Sequence, residues 1–131
     1  MANPNIVSVT SIYGETLGHN LSTTLSSVIM TVSADKLLKI NFMQAANVDG
    51  TNSAQITIYV TKLNFTSAGV GSTDDTAGDM YLAKTVNVPP DDVYVVIDKP
   101  FYLMAGDVLK GGASAAGDID LLVSYEVIDD A

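Results

Sequence analysis

Aspartates come nearest to a chemical site by type and spacing. Asp74, Asp75 and Asp79 lie in a stretch rich in glycine, serine and threonine, and carboxylate oxygens of this kind are the ligands that Ca²⁺ prefers. Their spacing differs from the EF-hand loop, in which ligands alternate, a glycine makes the sharp turn and a glutamate closes the loop. The pattern leaves weak Ca²⁺ binding open, and we predict neither a dedicated metal site nor a cofactor.

The sequence has few of the residue types and motifs that enzymes use for catalysis. Cysteine is absent, which excludes thiolate zinc sites and a cysteine nucleophile. His19 is the one histidine, and no serine lies in a G-x-S-x-G elbow to act with it. Adjacent aspartates point to opposite faces of an extended chain, so they do not form a glycosidase-like pair. We therefore predict that the protein is not an enzyme and that His19 lies in a loop or at a strand edge.

Two pairs of glycine and aspartate are interpreted as turns. Gly106 and Asp107 lie between two apolar runs, where a glycine of positive φ can reverse the chain and an aspartate side chain can cap backbone N–H groups. Asp49 and Gly50 follow another apolar run and are expected to supply the positive φ of a tight turn. All four residues are thus predicted to have structural roles.

The elements that hold these turns follow from period-two alternation of apolar and polar residues, which is typical of half-buried strands. The alternation is clearest near the end of the chain, where one predicted face carries Ile119, Leu121, Val123, Tyr125 and Val127. Leu38, Ile40 and Phe42 are likewise predicted to share a face. The runs predicted as strands are 6–13, 25–32, 36–46, 54–65, 80–88, 93–97, 101–104, 108–112 and 118–128. Eight or nine strands predict an all-β, antiparallel sandwich, most plausibly a jelly roll.

Length and composition indicate one domain. The 131 residues are interpreted as a single β-sandwich domain over 1–131, with 47% hydrophobic residues to form a core. Thr66 to Asp79 contains Val70 as its one large apolar residue, so it is predicted to be a long exposed loop. The apolar runs are too short to cross a membrane, and the first residues lack the pattern of a secretory signal.

Charge limits the partners. Fifteen acidic residues against six lysines and no arginine give a formal net charge of -9. Binding to nucleic acid through its phosphates requires a basic surface, so we expect no nucleic-acid partner.

Large apolar residues on both faces of the predicted strands indicate a protein interface. Leu37, Leu122 and Ile128 each adjoin an apolar residue assigned to the core, so they point away from it. We predict that these three residues contact another subunit. The tyrosines offer an alternative, a platform on which sugars stack, although tryptophan is absent.

Three stretches resemble small virion proteins of tailed phages, notably marine and cyanobacterial phages. They are MANPNIVSVTSIYG at the start, AANVDGTNSAQITIYV in the middle and FYLMAGDVLKGGASAAGDIDLLVSYEVI near the end, and the similarity covers most of the chain. The Thr66 to Asp79 segment departs from the pattern because it is longer than the usual hairpin, so nothing is carried over to it.

The resemblance implies a structural component of a virion. It implies a capsid decoration or cement protein, commonly a homotrimer, that lies on the outer capsid surface and binds itself and the major capsid protein or another virion protein. A neck or tail accessory, or a module that binds host-surface carbohydrate, remains the alternative.

Overall fold

The computed structural model describes residues 11–66 and 75–129 of the chain, and every regular element in them is a β-strand. The strands are β1 Ser11–Asn20, β2 Val28–Thr31, β3 Lys36–Asn47, β4 Ala54–Thr66, β5 Asp75–Val88, β6 Val93–Ile97, β7 Phe101–Leu103, β8 Val108–Ala113 and β9 Ile119–Asp129. No helix that could cross a membrane occurs in these residues.

Two antiparallel sheets contain all nine strands. Sheet I has the order β1-β9-β3-β6, with β7 also paired to β3, and sheet II has the order β2-β8-β4-β5. β1 thus pairs with β9, β2 with β8, β3 with β6 and β7, and β4 with β5. This nested pairing from the chain ends inward is a jelly roll in which β6 and β7 are two parts of one interrupted strand. The predicted fold class is confirmed.

The core lies between the sheets and follows the period of two where the strands are regular. β9 buries Ile119, Leu121 and Val123 completely or almost so, while the alternating residues face outward. In β6 the side chains packed against the core include Tyr94 and Val96, whereas Val93 and Val95 are about half exposed.

A β-bulge in β3 changes the predicted alternation. Ile40 pairs with Tyr125 and Phe42 pairs with Ser124, so one extra residue, Asn41, is inserted between them. Beyond a bulge the side chains exchange faces. Met43 is therefore fully buried and Phe42 lies on the outer side, so the predicted sharing of one face by Leu38, Ile40 and Phe42 is wrong at Phe42.

Two predicted boundaries also differ from the structure. Residues 11–20 form β1, although only residues 6–13 were predicted as a strand, and 6–10 lie outside the described residues. The loop predicted over 66–79 is wrong at both ends, because Thr66 belongs to β4 and residues 75–79 belong to β5, which pairs with β4. Residues 67–74 lie outside the described residues. Backbone pairing in this hairpin does not require apolar side chains, which explains why composition alone indicated a loop.

Two glycines of β8 allow close packing. A Cβ atom on Gly111 would lie 2.5 Å from the carbonyl oxygen of Thr57, and one on Gly112 would lie 2.7 Å from that of Thr24. The segment after β1 lies against Gly112, and the amide of Ala113 donates to the carbonyl of Ser22 at 2.8 Å. Residues without side chains are required here because backbone atoms occupy the space.

Candidate functional site

The outer face of sheet I is the surface that carries the predicted interface residues. Leu37 and Ile128 are cross-strand partners, and Ile12 is the partner of Ile128 on the other side. These three residues form one row across β3, β9 and β1. Ile12 is 61% exposed, and the other two are half-buried. The structure thus brings two of the predicted residues together and adds Ile12, which sequence reasoning missed.

Leu122 lies in a second row of the same face. Leu122 and Val95 are both partners of Gln44, one on each side, and they are 38% and 46% exposed. Val93 lies one row further along and is 47% exposed. Leu122 and Ile128 are six positions apart on β9, which is about 20 Å along a strand. The outer face of sheet I therefore has two apolar rows near its ends.

Polar residues and two aromatic residues share the middle of this face. Glu126 and Lys39 are cross-strand partners, and Lys39 is also the partner of Tyr102, which is 51% exposed. Thr16, Ser124 and the half-buried Phe42 form the neighbouring row.

Gly106 and Asp107 lie between β7 and β8, in a turn. Gly106 has a φ of 89°, and Oδ2 of Asp107 accepts a hydrogen bond from the amide of Met104 at 2.8 Å. The backbone of the turn also exchanges hydrogen bonds with Val32, which joins it to the end of β2.

Asp107 has a second role that the sequence did not reveal. Its side chain is fully buried, and Oδ2 lies 3.2 Å from Nζ of Lys62, a residue of β4. Oδ1 has no hydrogen-bond donor among the described residues. A buried carboxylate is costly unless it is paired, so Lys62 and Asp107 form one electrostatic unit at this end of the core.

A cleft opens between the sheets beside Lys62. Its volume is about 190 Å³, and its lining is mostly apolar, with Lys62 as the charged member. The lining residues are Val60, Lys62, Met80, Leu82, Phe101, Tyr102 and Leu103. The cleft is the gap between β5 and β7, the strands at one edge of the sandwich.

Asp49 and Gly50 lie between β3 and β4, but the predicted mechanism of their turn is wrong. Gly50 does not have a positive φ. The chain instead turns because the Asp49 carboxylate accepts hydrogen bonds from the amides of Thr51 and Asn52, at 2.8 and 3.3 Å. These bonds lower the pKa of Asp49, the bond from Thr51 most. A positive φ occurs nearby at Asp91 (56°).

Asn47 organises the same region and was missed by sequence reasoning. The residue is buried, and its amide nitrogen donates to the carbonyls of Asn52 and Val88, both at 3.0 Å. Its side-chain oxygen accepts from the amide of Asp49 at 3.0 Å. Asn47 thus connects the β3–β4 loop to the end of β5.

The described carboxylates do not assemble into a metal site. In residues 11–66 and 75–129 no group of three or more histidine, aspartate or glutamate side chains could hold an ion. Asp79 accepts a hydrogen bond from Thr61 across the hairpin at 2.6 Å, and Asp92 caps the amide of Val93. Asp74 lies outside the described residues. The weak Ca²⁺ site suggested for the loop therefore remains untested.

Tyrosines meet on the outer face of sheet II. The rings of Tyr59 and Tyr81 are 5.0 Å apart at 33°, and Nζ of Lys84 lies 5.1 Å from the Tyr81 ring centre. Tyr59 is nearly buried, whereas Tyr81 is 49% exposed. This group offers one exposed aromatic ring rather than a broad platform.

His19 and Glu15 lie on β1, at an edge of sheet I. His19 is the partner of Leu121 and is half-buried. Glu15 accepts a hydrogen bond from the Tyr125 hydroxyl at 2.6 Å. Burial and this bond raise the pKa of Tyr125 to about 12.

Comparison with known proteins gives likenesses of fold alone. No family model and no curated protein matches the chain. A chain from the disulfide-linked pili of Bacillus endospore appendages has a TM-score of 0.43 and 10% identity, over 92% of this chain and 88% of that one. VP2 of the infectious bursal disease virus subviral particle has a TM-score of 0.43 and 11% identity, over 92% of this chain and 33% of that one.

A third similar structure is a pentameric capsid protein from metagenomic phage sequences. It has a TM-score of 0.34 and 19% identity, over 87% of this chain and 60% of that one. With TM-scores this low, the likenesses carry no argument about function.

Proposed function

We propose that the chain is a non-enzymatic structural protein of a virus particle, and more specifically a homo-oligomeric decoration or cement protein on the outer capsid surface. A trimer is the state that the sequence resemblance implies. The partners are further copies of the chain and the major capsid protein or another virion protein.

The observation that carries this proposal is the outer face of sheet I. A β-sandwich needs only one apolar face on each sheet, the one that forms the core. Sheet I also presents Ile12, Val95 and Leu122 on its other side. Of the eleven large apolar side chains exposed in the described residues, five share this face: Ile12, Val93, Val95, Tyr102 and Leu122. A group of this kind favours a contact with protein.

Attachment is expected to depend on apolar contacts rather than on charge. Copies with a net charge of -9 repel one another, so burial of apolar area must offset that repulsion. Ion pairs at an exposed surface are screened as salt increases, whereas apolar burial is not.

The test compares Leu122→Asp with Leu25→Asp on particles that lack the chain. Leu25 is 46% exposed in the segment between β1 and β2 and follows Thr24, whose carbonyl lies beside Gly112 of sheet II, so it serves as a control outside the strands of sheet I. We expect the wild type and Leu25→Asp to stay bound in about 1 M salt, where the Debye length is about 3 Å. Leu122→Asp should no longer sediment with the particles, although its Tm should equal that of the wild type. Release of the wild type by about 0.5 M salt would identify an acidic surface as the contact instead.

A carbohydrate-binding module is the second candidate, favoured by the exposed ring of Tyr81 on sheet II. Tyr81→Ala should weaken adsorption to host-surface glycans if this candidate is correct. A neck or tail accessory would share the outer face of sheet I and differ in location.

A further inference from the structure

β1 is an edge strand of unusual regularity. It pairs with β9 over residues 11–20 without a register shift, and its other edge has no strand beside it among the described residues. Exposed edges are normally protected against pairing by lysine, proline, a bulge or shortness. β1 has ten residues without lysine, proline or a bulge, and Glu15 is its one acidic residue.

The other sheet edges in the described part of the chain are protected. β2 has four residues, and β6 and β7 are short strands separated by a break that contains Pro100. β5 is long, but its pairing with β4 has register shifts and Thr85 has a φ of 49°. Among the described sheet edges, β1 alone is both long and regular, so another copy of the chain offers it a matching edge in its own β1.

Charge also favours contact at β1. The first 34 residues contain one acidic residue, Glu15, and no lysine, so they contribute -1. Residues 35–131 contain the other fourteen acidic residues and all six lysines, and 14 minus 6 leaves -8. The acidic residues paired with β1, Asp120, Glu126 and Asp129, lie on β9, on the side of β1 away from the proposed contact. Repulsion between two copies is therefore weaker at this edge than it would be at β9, since it falls with distance.

We propose that β1 pairs with β1 of a second copy, antiparallel about a twofold axis at Thr16. This inference extends the self-association part of the proposed function. This register aligns residues 12–20 of one copy with residues 20–12 of the other. Even-numbered residues then pair with even-numbered residues, so the outer faces of the two copies of sheet I lie on the same side. Gly14 then faces Gly18 of the partner subunit. The equally long register centred on Glu15 opposes two carboxylates and is disfavoured.

The pairing enlarges the proposed contact surface. Two copies of sheet I become one continuous sheet whose outer face carries the apolar rows of both. If the assembly is built from trimers, the same contact joins copies from neighbouring trimers.

Single cysteines test the contact because the chain has no cysteine of its own. Directly opposed residues of an antiparallel pair have Cα atoms about 4.5 to 5.5 Å apart, within the range of a disulfide. Thr16→Cys should form a covalent dimer under mild oxidation at micromolar protein. Thr31→Cys, exposed on the edge strand β2, is the matched control and should not.

A charge variant gives a second measurement. Thr16→Lys places two lysines side by side at the axis and should halve the mass measured by light scattering, whereas Thr31→Lys should not change it. Oligomeric wild type in which Thr16→Cys cross-links no better than Thr31→Cys would overturn the β1 contact and leave self-association intact. A wild type that remains at 13.7 kDa would overturn both.

Discussion

Nζ of Lys62 lies 3.2 Å from Oδ2 of Asp107, and none of the Asp107 side chain is exposed. The same oxygen accepts the amide of Met104, so one carboxylate both closes a turn and compensates a charge on β4. Sequence reasoning identified the turn and missed the charge, because the two residues are distant along the chain.

The pair predicts a strong effect of Asp107→Asn. Asparagine can still accept the Met104 amide, but it removes the negative charge beside Lys62. We expect a loss of about 3 kcal/mol in the free energy of unfolding, as for removal of one partner from a buried pair. Urea unfolding of Asp107→Asn, Lys62→Met and the double variant measures the coupling. If the two single effects simply add, the residues do not act as a unit.

The extent to which sequence predicted the fold depends on the environment of each strand. β9 was predicted within one residue at each end because its alternate side chains meet core and solvent. The strand predicted to end at residue 13 continues as β1 to Asn20, because an edge strand with most of its residues exposed carries little alternation to mark its end. The bulge at Asn41 has no signal in the local pattern, because inserting one residue changes which face is buried without changing residue types.

The candidate surface was predicted only in part for a related reason. Leu37, Leu122 and Ile128 could be assigned to an outer face by parity with their buried neighbours. Val95 could not be assigned to a face in this way, because both faces of β6 carry apolar or aromatic residues. Only the pairing of both Val95 and Leu122 with Gln44 places them in one row.

Close packing at β8 predicts that Gly112→Ala is destabilising. The added Cβ would lie 2.7 Å from the Thr24 carbonyl and 2.8 Å from that of Ser22. Forcing these backbone atoms apart should cost about 1 to 3 kcal/mol. Gly78→Ala on β5 is the control, since nothing lies within 4 Å of its added Cβ. Thermal unfolding should show a lower Tm for Gly112→Ala alone, and equal Tm values would refute the packing argument.

Tyr125 predicts a loss of stability at alkaline pH. Burial and the Glu15 hydrogen bond raise its pKa from 10.0 to about 12 in the folded protein. The folded protein therefore holds this proton more tightly than the unfolded chain does. The contribution is complete below pH 10 and is lost as the pH rises from 10 towards 12. From pH 9 upward, the free energy of unfolding should fall less steeply with pH for Tyr125→Phe than for the wild type. Parallel curves for the two proteins would contradict the assignment of this loss to Tyr125.

The location of the chain in a virus particle tests the central claim most directly. A cryo-EM map of the intact particle should show the jelly roll at positions that repeat with the capsid lattice, on the outer surface, with the outer face of sheet I in contact with protein. Copies confined to the neck or tail, or a particle that lacks the chain altogether, would contradict the proposed role in capsid decoration.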